Sequence, residues 1–149
     1  MYRVNSKGVF NVPLGRYKNP SIVVQDKLIE ASKLLKRTKI KAVSFEQAVT
    51  KAGGGDFIYF DPPYYPLNNH KNFTTYTKDN FLEKEQIKLA NVFKILDKKG
   101  CKLMLSNSDT DFIRELYDDF NIHVVKANRM INSDANKRGK INELIITNY

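Results

Sequence analysis

The sequence predicts an α/β domain, on three observations. Apolar runs at 56–60, 103–107, 122–126 and 143–147 are rich in β-branched, aromatic and leucine side chains that fit packed, pleated surfaces. Residues 20–38 and 80–98 place apolar side chains at helical spacing. The strand at 56–60 then runs into Asp61-Pro62-Pro63-Tyr64. Two prolines cannot donate to a ladder, so the strand must stop, and it stops in a stiff lip where open α/β sheets place their ligands. The length of 149 residues suits one domain with a real core.

Residues 1–19 are rich in Gly, Pro, Asn and basic side chains. Two extended pieces flank Ser6-Lys7-Gly8, which reads as a hairpin or an exposed arm. In the helix at 20–38, Val24, Leu28, Ala31 and Leu35 share one face. Ile40 to Phe45 reads as a strand followed by a helical turn. Gly53-Gly54-Gly55 precedes a strand rather than opening a helix, so it is a turn and not a phosphate loop. Residues 66–76 form a polar loop without helical period, of the kind that carries function at a strand's carboxyl end. The helix at 80–98 has Asp79 as a candidate N-cap, Leu82, Leu89, Val92, Phe93 and Leu96 facing the core, and Gly100 as its stop. Asp109 is placed to cap a helix at 110–118, and a polar, basic loop at 128–140 joins the last two strands.

Bulk properties narrow the partner. Twenty-five Lys and Arg against 16 Asp and Glu leave a net charge of +9, which favours a polyanion. One cysteine, Cys101, excludes an internal disulfide and reads as a small core residue. With only His70 and His123 besides, no zinc site is expected. No apolar run spans a membrane and no signal peptide is visible, which predicts a cytoplasmic protein.

The lip carries the chemistry. An amino group on a heteroaromatic base is a poor nucleophile because its lone pair is delocalised into the ring. The Asp61 carboxylate and the Pro62 carbonyl are two acceptors that can take its hydrogens and localise that pair. Tyr64 is a flat ring able to stack on the base. The plain alternative is a strand end, a rigid turn and a surface tyrosine.

Asp61-Pro62-Pro63-Tyr64 resembles the catalytic motif of the S-adenosylmethionine-dependent amino-methyltransferases. Gly8-Val9-Phe10-Asn11-Val12-Pro13-Leu14-Gly15-Arg16-Tyr17-Lys18 resembles the recognition hairpin of the Dam-type (D12 class) adenine-N6 DNA methyltransferases, which act on GATC. The two segments occur in the family's order. The resemblance implies a partial Rossmann-like S-adenosylmethionine-dependent methyltransferase fold, with residues 1–19 ending a DNA-recognition segment and residues 20–149 forming the C-terminal part of the catalytic domain. It implies Asp61, Pro62 and Tyr64 as catalytic residues and Ser44, Phe45 and Asp61 as donor-binding residues. For double-stranded DNA it implies Arg3 on guanine, Pro13 on a thymine methyl and Tyr17 on the outer part of the site. Phe73 and Tyr76 lie in a segment matching the family's Asn-Phe-Thr-x-Tyr, and Arg129 and Lys137 would hold the phosphate backbone. Ser106-Asn107-Ser108-Asp109 matches a motif lining the target-base pocket. The transfer needs no metal.

On this resemblance the chain is expected to be a C-terminal portion, lacking the glycine-rich turn that grips the methyl donor. The strand at 56–60 then becomes an edge, to be covered by the 40–45 strand, by a second copy or by a separate chain. Two other functions fit parts of the pattern. One is an inactive or split DNA-binding form of such an enzyme. The other is a ribosomal RNA guanine methyltransferase, which would keep Asp61 to Tyr64 without the arm.

Overall fold

The computed structural model describes residues 4, 5, 7–10, 18, 23–67, 81–128 and 140–149. They fall into two units, 1–41 and 42–149. In the first unit, Asn5 builds a tight turn. Its Oδ1 accepts the amides of Lys7 and Val9 at 2.9 and 3.0 Å, and Val4 pairs with Phe10 as an antiparallel bridge. Gly8 closes the turn at φ +76°, a conformation that suits a residue without Cβ. Helix α1, Gln25–Leu35, is shorter than the expected 20–38 and has no buried residue.

The second unit is a four-stranded sheet with helices on one face. Its elements are α2 (Phe45–Ala48), β1 (Phe57–Phe60), α3 (Glu83–Lys98), β2 (Lys102–Ser108), α4 (Asp111–Leu116), β3 (Asn121–Asn128) and β4 (Lys140–Thr147). The strand order is β1-β2-β4-β3. β1 runs parallel to β2, and β4 is antiparallel to both β2 and β3. The α/β class expected from the sequence is therefore what the chain adopts.

Strand alternation places the core. Leu103 and Leu105 of β2 and Leu144 and Ile146 of β4 pack with Leu89, Phe93 and Leu96 of α3 and with Ile113 and Tyr117 at α4. Cys101 is buried in the same core. Phe93 is its aromatic centre, edge-on to Tyr117 and Phe120 at ring distances of 5.4 and 4.8 Å. Asn148 ties the end of β4 to the start of β2. It accepts from Leu103 N at 2.8 Å and donates to the Cys101 carbonyl at 2.9 Å.

Several local expectations are corrected. Ile40 to Ser44 forms no strand, and Phe45 already belongs to α2. Ser44 and Gln47 make a reciprocal capping box, with Gln47 N donating to Ser44 Oγ at 3.3 Å and Ser44 N to Gln47 Oε1 at 3.4 Å, so a helix begins where the strand was to end. β1 is not buried on both faces: Ile58 and Phe60 turn inward, while Phe57 and Tyr59 are exposed. Thr110, not Asp109, caps α4, accepting from Ile113 N at 3.3 Å. Asp109 instead receives Arg114 Nε at 2.7 Å and Asn142 Nδ2 at 3.3 Å, and the guanidinium holds its carboxyl below the usual range. α3 starts at Glu83, after an exposed Leu82; the expected cap, Asp79, lies outside the described residues.

The glycine turn has its own logic. Asp56 Oδ2 accepts the Gly53 amide at 3.0 Å, and Gly55 sits at φ +90°. The carboxylate of the chain itself occupies the amide that an anion would need, in keeping with a turn and not a phosphate loop.

Candidate functional site

β1 ends at Phe60, as the prolines require, and Asp61 to Pro66 follow without regular structure. No peptide bond here is cis. What holds the lip is a chain of side-chain amides. Gln86 of α3 donates through Nε2 to the Pro63 carbonyl at 2.9 Å. Asn107 of β2 donates through Nδ2 to Gln86 Oε1 at 3.1 Å, and its own Oδ1 accepts the Tyr65 amide at 3.0 Å. Ser108 Oγ donates to the Tyr65 carbonyl. Gln86 and Asn107 are fully buried, where an amide without partners would be costly; here each bond fixes the orientation of the next.

Tyr65 is thereby an anchor. Its ring packs against Phe112 at 4.6 Å and its hydroxyl donates to Glu83 Oε1 at 2.9 Å, which pushes the phenol up. Tyr64, the preceding residue, is left half-buried. Burial pushes its phenol up, the Ser106 hydroxyl counters this, and the carboxylates of Glu143 and Asp61 and the Tyr59 phenol add to the rise.

Asp61 is exposed, with Oδ1 accepting from Ser106 Oγ at 2.9 Å. Tyr59 reaches the same Ser106 oxygen at 2.9 Å. Among the described residues, Asp61 Oδ2 and the Pro62 carbonyl accept no hydrogen bond, so two neighbouring acceptors stand open. Tyr64 lies within electrostatic reach of Asp61, Tyr59 and Ser106. The three residues predicted as catalytic thus converge.

Ser44 and Phe45 lie at the start of α2. The Ser44 hydroxyl is engaged as a cap, and Phe45 is half-buried, edge-on to Phe81 at 6.0 Å with Lys88 Nζ 6.0 Å from its ring centre. Lys88 also pairs with Glu46 and holds that carboxyl low. Helix α3 therefore fastens both places, α2 through Lys88 and the lip through Gln86. The predicted DNA contacts Arg3, Pro13, Tyr17, Phe73, Tyr76, Arg129 and Lys137 all lie outside the described residues.

Sequence reasoning missed Gln86 and Tyr65. Gln86 had a signal: it falls on the same helical stripe as Leu89, Phe93 and Leu96, where a lone amide implies a buried partner. Among the described residues no cluster of three His, Cys, Asp or Glu side chains could hold a metal ion, and no helix is long and apolar enough to cross a membrane.

Comparison with known proteins fits this site. The family model for the D12 class N6 adenine-specific DNA methyltransferases matches residues 1–131. A type II methyltransferase of Lactococcus lactis subsp. cremoris, M1.LlaDCHI, is 50% identical over 100% of this chain and 53% of its own length. The type II methyltransferase M.MjaIII of Methanocaldococcus jannaschii is 52% identical over 100% of this chain and 52% of its own. A DNA adenine methylase of Vibrio cholerae is 39% identical over 96% and 52%. The chain thus spans about half the length of these relatives. One expectation is corrected: the family match is not confined to the catalytic part but starts at residue 1, takes in the N-terminal region and covers nearly the whole chain, residues 1–131. It belongs to the D12 class of N6 adenine-specific DNA methyltransferases.

Proposed function

We propose that this chain carries the site of methyl transfer from S-adenosylmethionine to the N6 amine of adenine in double-stranded DNA, within GATC. The observation that carries this reading is the pair of open acceptors, Asp61 Oδ2 and the Pro62 carbonyl, beside the Tyr64 ring. The Asp61 carboxylate and the Pro62 carbonyl accept hydrogen bonds from the two amine hydrogens, which draws the nitrogen towards sp3 and localises its lone pair; one of those protons leaves the nitrogen once the methyl group is bound. Tyr64 stacks on the base, flipped out of the duplex to reach the lip. Bound S-adenosylmethionine supplies the electrophilic methyl group. The residues present suit it: Phe45 keeps part of its ring exposed for an adenosyl group, and Ser44 sits beside it at a helix start. Arg3, Pro13 and Tyr17 read the site, Phe73 and Tyr76 close on base and donor, and Arg129 and Lys137 hold phosphates.

GATC as the target rests on the likeness of residues 8–18 to the Dam-type hairpin, and adenine in DNA as the substrate also on relatives named as DNA adenine methylases. The test is methylation of a GATC duplex and of the same duplex with the site permuted, read as N6-methyladenine by mass spectrometry. Methylation of GATC alone is expected. Equal methylation of both duplexes rejects the site, and a methylated base other than adenine rejects the reaction.

A further inference from the structure

The prolines explain how the backbone of the lip is held, but they leave the Asp61 side chain free to turn. Pro62 holds Asp61 extended, and Pro63 does the same for Pro62. Neither restricts the aspartate's side-chain torsions, and an exposed carboxylate samples several staggered rotamers. Catalysis by an amine acceptor needs one of them.

We propose that Ser106 is the positioning residue of this site: its single hydroxyl gathers Asp61 and Tyr59 and presents Asp61 Oδ2 to the target amine. The proposal rests on the methyl-transfer reading above and adds a role that neither the prolines nor the family match supplies. Ser106 lies on β2, opposite Ile145 of β4, and is 2% exposed, so its oxygen is fixed by the sheet. Tyr59 stands on the neighbouring strand β1 opposite Met104, two residues before Ser106 and on the same face.

Hydrogen-bond counting sets the direction of the network. A serine hydroxyl has one proton to give and two lone pairs to accept with. A carboxylate only accepts, so the Ser106 proton goes to Asp61 Oδ1 at 2.9 Å. The Tyr59 hydroxyl, 2.9 Å from the same oxygen, must then donate to it. One oxygen thus ties the acceptor of the amine to the Tyr59 hydroxyl of the neighbouring strand. Tyr59 is half exposed and leans across from the edge strand, where its ring has no core to fill. Its hydroxyl completes the hub.

The test has two arms, both on the full chain. In the free protein, tyrosines labelled with carbon-13 at Cζ report the network by NMR. Asp61→Ala should move the Tyr59 signal when Ser106 is present and leave it unmoved in the Ser106→Ala background. An equal shift in both backgrounds overturns the hub. In the methylation assay, Ser106→Ala should lower kcat about 10–100-fold, the scale of a misplaced reacting group, with KM for duplex DNA nearly unchanged. Ser106→Thr, which keeps the hydroxyl, should recover most of kcat. Tyr59→Phe, a change at the exposed edge, should lower kcat without changing the melting temperature. Full kcat in Ser106→Ala, or equal loss in Ser106→Ala and Ser106→Thr at unchanged stability, overturns the positioning role. A wild-type chain that methylates nothing rejects the functional reading, while the labelled-tyrosine arm still decides for or against the hub.

Discussion

Tyr117 shows how much one atom can matter in this core. Its ring is fully buried against Phe93, yet its hydroxyl has no hydrogen-bond partner among the described residues. Leaving a buried polar group unpaired costs about 1–3 kcal/mol. Tyr117→Phe keeps the ring and removes the orphan, so it should raise the unfolding free energy by about 1 kcal/mol, read as a higher urea midpoint at unchanged slope. Burial also pushes the Tyr117 phenol up from 10.0. The folded state then keeps a proton that the unfolded state releases, so this stability is fully present below pH 10 and is lost as pH rises above it. The alkaline loss should be smaller in Tyr117→Phe, as pH-dependent urea titrations will show. At this scale the sequence was legible where chemistry is local. Asp61, Pro62 and Tyr64 stand together in the chain, and the prolines announce the lip. Ser106 and Gln86 act across 45 and 23 residues of chain, and no local pattern shows those partners.

Among the elements, α3 does most to arrange the site. Its apolar stripe, Leu89, Phe93 and Leu96, packs it on the sheet, and Gln86 on the same stripe reaches the Pro63 carbonyl. Gln86→Leu fills similar space but leaves that carbonyl and the Asn107 amide unpaired. It should cost about 1–3 kcal/mol in stability and lower methylation even in folded protein. Circular dichroism melts beside the methylation assay check this, and unchanged activity in the folded variant would show that the latch does not set the lip. The strands were legible because β-formers cluster between turn residues. Helix ends were less so. Ser44 and Gln47 spell a capping box that the apolar run Ile40 to Phe45 hides, and Thr110 competes with Asp109 for the same cap. Alternation along β1 was obscured by its composition, since all four of its residues are apolar or aromatic while only Ile58 and Phe60 turn to the core.

For the whole molecule, the α/β architecture followed from the order of strands and helices, whereas strand order needed the structure. β4 inserts between β2 and β3, a pairing that no sequence spacing demands. β1 stands at the sheet's edge and carries the lip at its end. The net charge of +9 also belongs to this scale. Its Lys and Arg residues include several in the 1–19 and 126–140 stretches, where the proposed DNA contacts fall. Binding of the chain to duplex DNA should therefore weaken as salt rises, with a log–log slope of about −0.9 per phosphate contact. Fluorescence anisotropy across a salt series measures that slope, and a flat response would rule out phosphate contacts.

The proposed role of Asp61 is to meet, with its carboxylate, the amine that is methylated. The most direct measurement compares wild type and Asp61→Ala for N6-methyladenine formed in a GATC duplex, with DNA affinity measured on the same samples. Methylation by the wild type, none by Asp61→Ala, and nearly equal DNA affinity are expected. Methylation by Asp61→Ala at the wild-type rate would contradict that role.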